Sequence, residues 1–110
     1  MDLKELCFDV IEIAREVGIY IKMQESQLKE KDIETKSLNS LVSYVDKTAE
    51  GKIIEALKEL LPESGFIAEE GTDETKGNKY NWIIDPLDGT TNFIHGIPMY
   101  SVSIALQEND

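Results

Sequence analysis

Little in this chain can cross-link or act as a soft metal ligand. Its 110 residues hold one cysteine, so no disulfide can close within it. That thiol, Cys7, falls in an apolar helical pattern, where a buried structural role is expected rather than a nucleophilic one. The lone histidine, His95, leaves no second imidazole for a zinc-type site. Basic residues are scarce as well: 11 Lys and Arg stand against 22 Asp and Glu, for a net charge of −11. A nucleic acid or an acidic membrane surface would be repelled without a bridging cation, so neither is an expected partner. No apolar run approaches the ~18 residues of a membrane span. The N-terminal stretch MDLKELCFDVIEIARE carries charges in every turn, unlike a secretory signal. These absences point to a cytoplasmic protein, and the length fits one small domain.

What is present begins with helices. Leu6, Cys7, Val10, Ile11, Ala14, Val17, Gly18 and Ile21 recur at the spacing of a helix that buries one face. Residues 24–40 lose that period and read as a fraying helix end followed by an exposed loop. Val45, Ala49, Ile53, Ala56, Leu57 and Leu60 restore it, with Asp46 as a start signal and Pro62 just beyond the end. Gly51 inside this second helix is expected to mark close packing, since glycine there costs roughly 1 kcal/mol against alanine. After Pro62 come strand-like segments: GFIA (65–68), YNWIID (80–85) and MYSVSIAL (99–106), the last alternating with a period of two. Helices followed by strands predict an α+β, layered arrangement. The closing QEND reads as the opening of a turn toward another strand.

The stretch WIIDPLDGTTNF (82–93) carries the chemistry. Asp-Pro and Asp-Gly form turns readily, so DPLDG is open to a plain reading as a chain reversal between strands. A turn does not ask for two carboxylates at i, i+3 beyond a buried apolar run, where unpaired charges are costly. A second acidic pair ends FIAEEG. If the two strands lie side by side, Glu69, Asp85 and Asp88 converge, and three like charges in one place call for raised pKa values or a divalent cation. Hard oxygen ligands favour Mg²⁺ over Zn²⁺, with the Leu87 carbonyl as a further donor. A short helix starting at Thr90 would turn its first N–H groups toward an anion beside that cation.

WIIDPLDGTTNFIHGIPMYSVSIAL together with GFIAEEG resembles the N-terminal part of the inositol monophosphatase family, Mg²⁺-dependent and lithium-sensitive sugar phosphatases. The similarity runs from the first helix to residue 106, and Thr91, Asn92 and Phe93 favour the inositol branch over fructose-bisphosphatase or nucleotide-phosphatase relatives. The resemblance implies two packed helices on an antiparallel-rich sheet, with residues 1–110 forming the N-terminal portion of the domain and its C-terminal portion absent. By position it implies that Glu69, Asp85 and the Leu87 carbonyl hold one metal ion, and that Asp85 and Asp88 reach a second. Thr90 and Asp46 would orient and deprotonate the attacking water, although Asp46 also suits a helix N-cap. Backbone amides of Gly89 and Thr90 would bind phosphate oxygens, Glu70 would support the metal ligands, and Lys36 would lie on a closing loop. His95 is expected to be structural.

The implied reaction is direct hydrolysis of a phosphate monoester, with myo-inositol monophosphate as the expected substrate and ions ~3.5–4 Å apart. The resemblance also implies a homodimer. Ser40 and Ser43 depart from the family's usual acid and threonine, and the aspartate of a Trp-Asp motif that relatives carry further along is not among these residues. The alternative is therefore a metal-binding or interaction module without turnover, and the isolated segment is expected to be nearly inactive.

Overall fold

The computed structural model describes residues 1–29 and 35–109, with side chains described for 1–27 and 38–109. Along the chain run α1 (Leu3–Lys29), α2 (Thr35–Leu60), β1 (Gly65–Ala68), β2 (Tyr80–Asp88), α3 (Thr90–Ile94) and β3 (Ser101–Glu108). Asp2 opens α1 as its cap, its Oδ1 accepting the N–H groups of Lys4 at 3.0 Å and Glu5 at 3.2 Å. The two long helices pack on each other and on one face of a three-stranded sheet ordered β1-β2-β3. β1 and β2 run parallel, while β2 and β3 form the longer, antiparallel pairing. This is the expected α+β layering.

The core lies between α2 and the sheet. Val45, Ala49, Ile53 and Leu57 recur every four residues of α2 and are fully buried. They meet Phe66, Trp82 and Ile84 from the strands, each large side chain contributing roughly 1.5–3 kcal/mol by burial. The Trp82 indole N–H donates to the Ser64 hydroxyl at 3.0 Å, which in turn donates to the Leu61 carbonyl at 2.6 Å. A buried polar handle is thereby satisfied. The opposite sheet face is open: Ile83 pairs with Ile67 on one side and Ala105 on the other, and all three are exposed.

Several expectations fail here for identifiable reasons. Much of the 24–40 stretch is helical, because a few of its residues reach the core from both helices. Glu25 is buried and accepts the Tyr100 hydroxyl at 2.8 Å and the Lys22 ammonium at 3.1 Å, while Leu38, Leu41 and Val42 extend the apolar stripe back from Val45. Asp46 consequently sits inside α2, not at its start, and is no N-cap. Gly51 marks no close packing, since a Cβ there would meet nothing within 4 Å. Cys7 is exposed rather than buried. It lines an open apolar groove of about 320 Å³ with Leu3, Leu6, Val10, Trp82 and Leu106, because the N-terminal half of the α1 stripe is only partly covered. β3 begins at Ser101, two residues later than the alternation suggested. Among the described residues, no helix is long and apolar enough to cross a membrane.

Candidate active site

The segment around Pro86 is no simple reversal, because β2 continues through it to Asp88. Proline supplies no N–H to a ladder, and the pairing is irregular there: Asp85 faces Ser103, and Asp88 faces Ser101. Three steps along β2 thus match two along β3, which is one extra residue and a β-bulge. Ser101 and Ser103 share a sheet face because they are two apart, and paired residues lie on the same face. The bulge therefore returns Asp85 and Asp88 to one side, which an odd spacing in a regular strand would forbid. Glu69 joins them: β1 runs parallel to β2 with Ala68 beside Ile84, and the Glu69 N–H carries the ladder one step further by donating to the Ile84 carbonyl at 3.1 Å. The expected side-by-side placement of the two acidic strand ends is present.

Beyond Asp88 the chain turns sharply. Gly89 adopts φ 94° and ψ 39°, the left-handed region, and a Cβ on it would stand 2.9 Å from the Met99 carbonyl oxygen. The Asn92 side-chain amide donates to that same oxygen at 2.7 Å, closing the 89–99 loop. The expected short helix follows as α3, which begins without a side-chain cap. The Thr90 hydroxyl donates to the Leu87 carbonyl at 3.2 Å, so two groups assigned separate roles in the sequence are bonded to each other. The Leu87 N–H donates to Asp85 Oδ1 at 3.3 Å. Phe93 is wholly buried and meets the Tyr100 ring edge-on at 5.5 Å, anchoring α3.

Asp46 projects from α2 into the same region. Burial first, then the charges of Glu70, Asp85, Glu50 and Glu69, push its carboxyl up from 3.8 to about 6. The Glu70 carboxyl is also raised, by desolvation and then by Glu50 and Glu69, with Lys47 partly opposing. Asp46, Glu69, Glu70 and Asp85 are thus brought together. Asp88 shares the open face but is exposed and is not one of the four carboxylates that raise Asp46. His95 is exposed at the C-terminal end of α3, with its backbone N–H on the Thr91 carbonyl at 3.2 Å. The Lys36 side chain lies outside the described residues.

Glu50 was missed in the sequence. It is fully buried, one turn after Asp46 on α2, and accepts the backbone N–H of Glu70 at 2.8 Å and of Thr72 at 3.0 Å, one on each oxygen. The available signal was the i, i+4 spacing from Asp46 within DKTAE, which places the two acids on neighbouring turns of one face.

Among the described residues, no group of three or more His, Cys, Asp or Glu side chains stands close enough together to hold a metal ion as placed. The donor set nonetheless fits a hard divalent cation: every candidate ligand is an oxygen, and the crowding of negative charge that raises Asp46 is what such an ion relieves.

Residues 2–110 match the profile of the inositol monophosphatase family. The fructose-1,6-bisphosphatase/inositol-1-monophosphatase of Aquifex aeolicus is 40% identical over 93 residues, covering 84% of this chain and 35% of its own length. The Nus factor SuhB of Vibrio cholerae is 43% identical over 98 residues, covering 88% and 37%. In structure, the extragenic suppressor protein suhB of Bartonella henselae superposes with a TM-score of 0.78 at 33% identity, covering 94% of this chain and 39% of that one. The chain thus spans little more than a third of the length of these relatives. The family match along nearly all of the chain and the shared fold together establish that this chain belongs to the inositol monophosphatase family.

Proposed function

We propose that these residues form the N-terminal portion of a Mg²⁺-dependent phosphate monoesterase, with myo-inositol monophosphate as its substrate. The observation that carries the reading is that Glu69 lies beside Asp85 at neighbouring strand ends while the bulge returns Asp88 to the same face, and the acid crowding that raises Asp46 agrees with it. Glu69, Asp85 and the Leu87 carbonyl would hold one ion, and Asp85 with Asp88 a second. Bound there, Mg²⁺ would supply charge neutralisation and a more acidic water ligand.

The chain's own groups set the rest. Asp46, on α2 near those acids, would take a proton from the nucleophile. Thr90, released from the Leu87 carbonyl, would orient that water, and its present bond keeps the hydroxyl beside the expected ligand. The backbone amides of Gly89 and Thr90, at the start of α3 where no side chain caps the helix, would bind the phosphate oxygens. Lys36 and Glu70 would contribute from the periphery.

In the whole protein, Mg²⁺-dependent phosphate release from myo-inositol monophosphate is the expected result, lost in Asp88→Asn. Unchanged turnover in that variant would defeat the assignment. A second reading, a metal-binding or interaction module without turnover, gains support from relatives named Nus factor. Calorimetry with Mg²⁺ beside a phosphatase assay on these 110 residues separates the two. Binding with almost no turnover is expected of the chain by itself, and full turnover would exclude the module.

A further inference from the structure

A wholly buried carboxylate requires compensation, and Glu50 finds it in two backbone N–H groups of the turn that follows β1. That turn reverses at Gly71, whose φ is +66° and whose N–H donates to the Ala68 carbonyl at 3.1 Å. It carries both Glu69 and Glu70. Two donors approaching from one segment need two acceptor-only oxygens, which a carboxylate offers and an amide does not. A glutamine would keep one bond and set its NH₂ group against the other N–H.

We infer that Glu50 is a positioning residue: it locks the 69–72 turn to α2, and so fixes Glu69 and Glu70 relative to Asp46, one helical turn away. This deepens the metal-dependent reading above and rests on it for its functional consequence. The tie is direct, since the helix that carries Asp46 also holds the backbone of the turn that carries the other two acids. Glu50 itself spends both oxygens on N–H groups, so its part is to hold the ligands in place.

The test compares Glu50→Gln, Glu50→Ala and a core control, Ile54→Val, in this chain. Amide hydrogen exchange without metal reads the lock, and Mn²⁺ titration followed by electron paramagnetic resonance reads its consequence. Glu50→Gln is expected to lose protection at one of the Glu70 and Thr72 amides, and Glu50→Ala at both. Loss of such an outer support weakens metal binding about tenfold or more, whereas Ile54→Val should leave the Mn²⁺ Kd within about twofold while lowering Tm. Retained protection at both amides in Glu50→Ala would overturn the inference, as would an equal loss of Mn²⁺ affinity in Ile54→Val. If Glu50→Ala fails to fold, Glu50→Gln decides by the same two readouts. Should the unaltered chain bind no Mn²⁺, the phosphatase reading fails, and the exchange pattern still settles whether Glu50 holds the turn.

Discussion

The same substitution, glycine to alanine, should have opposite effects at two places in this chain. Gly51 lies within α2, and a methyl group there would touch nothing within 4 Å. Alanine at that position removes backbone freedom from the unfolded chain without a steric penalty, for a gain of roughly 0.5–1 kcal/mol. Gly89 is the reverse case. Its φ of 94° disfavours any L side chain by roughly 1–2 kcal/mol, and the added Cβ would press on the Met99 carbonyl oxygen at 2.9 Å and on Tyr100 Cα at 3.2 Å. Both neighbours are backbone atoms and cannot swing aside, so strain adds to the conformational cost. For a domain of this size each kcal/mol moves Tm by about 4–8 °C. Gly51→Ala should therefore melt a few degrees higher and Gly89→Ala at least as far below the unaltered chain. Urea unfolding followed by circular dichroism supplies the check, with unchanged m-values certifying that the native state moved in stability only. A neutral Gly89→Ala would refute the left-handed turn, and a destabilising Gly51→Ala would refute the open space beside α2.

Two further outcomes concern the buried acids. Tyr100→Phe removes a hydroxyl from the buried Glu25 carboxylate and should lower stability by about 1.5–3 kcal/mol in urea. Desolvation and Glu25 push the Tyr100 phenol up from 10.0 to about 12, so the folded chain holds that proton more tightly than the unfolded one; stability should fall as pH rises from about 10 to about 12, and the phenylalanine variant should lack that slope. Asp46→Asn should stabilise the metal-free chain at neutral pH. The folded carboxyl titrates at about 6 against an ordinary 3.8, so its contribution is lost as pH rises across that interval, a penalty of order 1 kcal/mol after allowance for solvent screening. A thermal melt series from pH 4 to 8 reads it, and a destabilised asparagine variant at pH 7.5 would contradict the acid crowding.

How far the fold was legible depended on whether its signals were local. GFIA was read to the residue as β1, because β-branched and aromatic residues between turn formers have one natural conformation. The start of α3 at Thr90 and the end of α2 before Pro62 were equally local. The bulge was not legible, since Pro86 normally ends a ladder and only the partner strand reveals that pairing resumes at Asp88. The helical ends within 24–40 were hidden for a similar reason: Glu25 looks solvated until Tyr100, 75 residues away, supplies a donor. Cys7 failed in the other direction, since its apolar period is real but the face it marks is only partly covered. In the site, the residue types and the neighbouring strand ends were foreseeable, whereas for Glu50 the spacing from Asp46 marked only a shared helix face, and its burial shows only in the backbone it holds.

The treatment of its acids is what sets this site apart from an ordinary negative surface. Among the described residues Glu25 and Glu50 are the most deeply buried carboxylates, and each is met by donors: a phenol and an ammonium for the first, two backbone amides for the second. Asp46, only half-buried, receives no hydrogen-bond donor among the described residues and is instead pushed toward protonation. If the chain were merely acidic for solubility, the less buried acid would be the more relaxed one. The inversion follows from position, since Asp46 lies near the carboxylates of α2, β2 and the turn after β1, while the other two meet backbone N–H groups or a phenol. A fold that satisfies its hidden acids and leaves a more accessible one crowded holds a local demand for positive charge. That demand is the physical basis for looking for the cation, and the phosphate it would bind, at this end of the sheet.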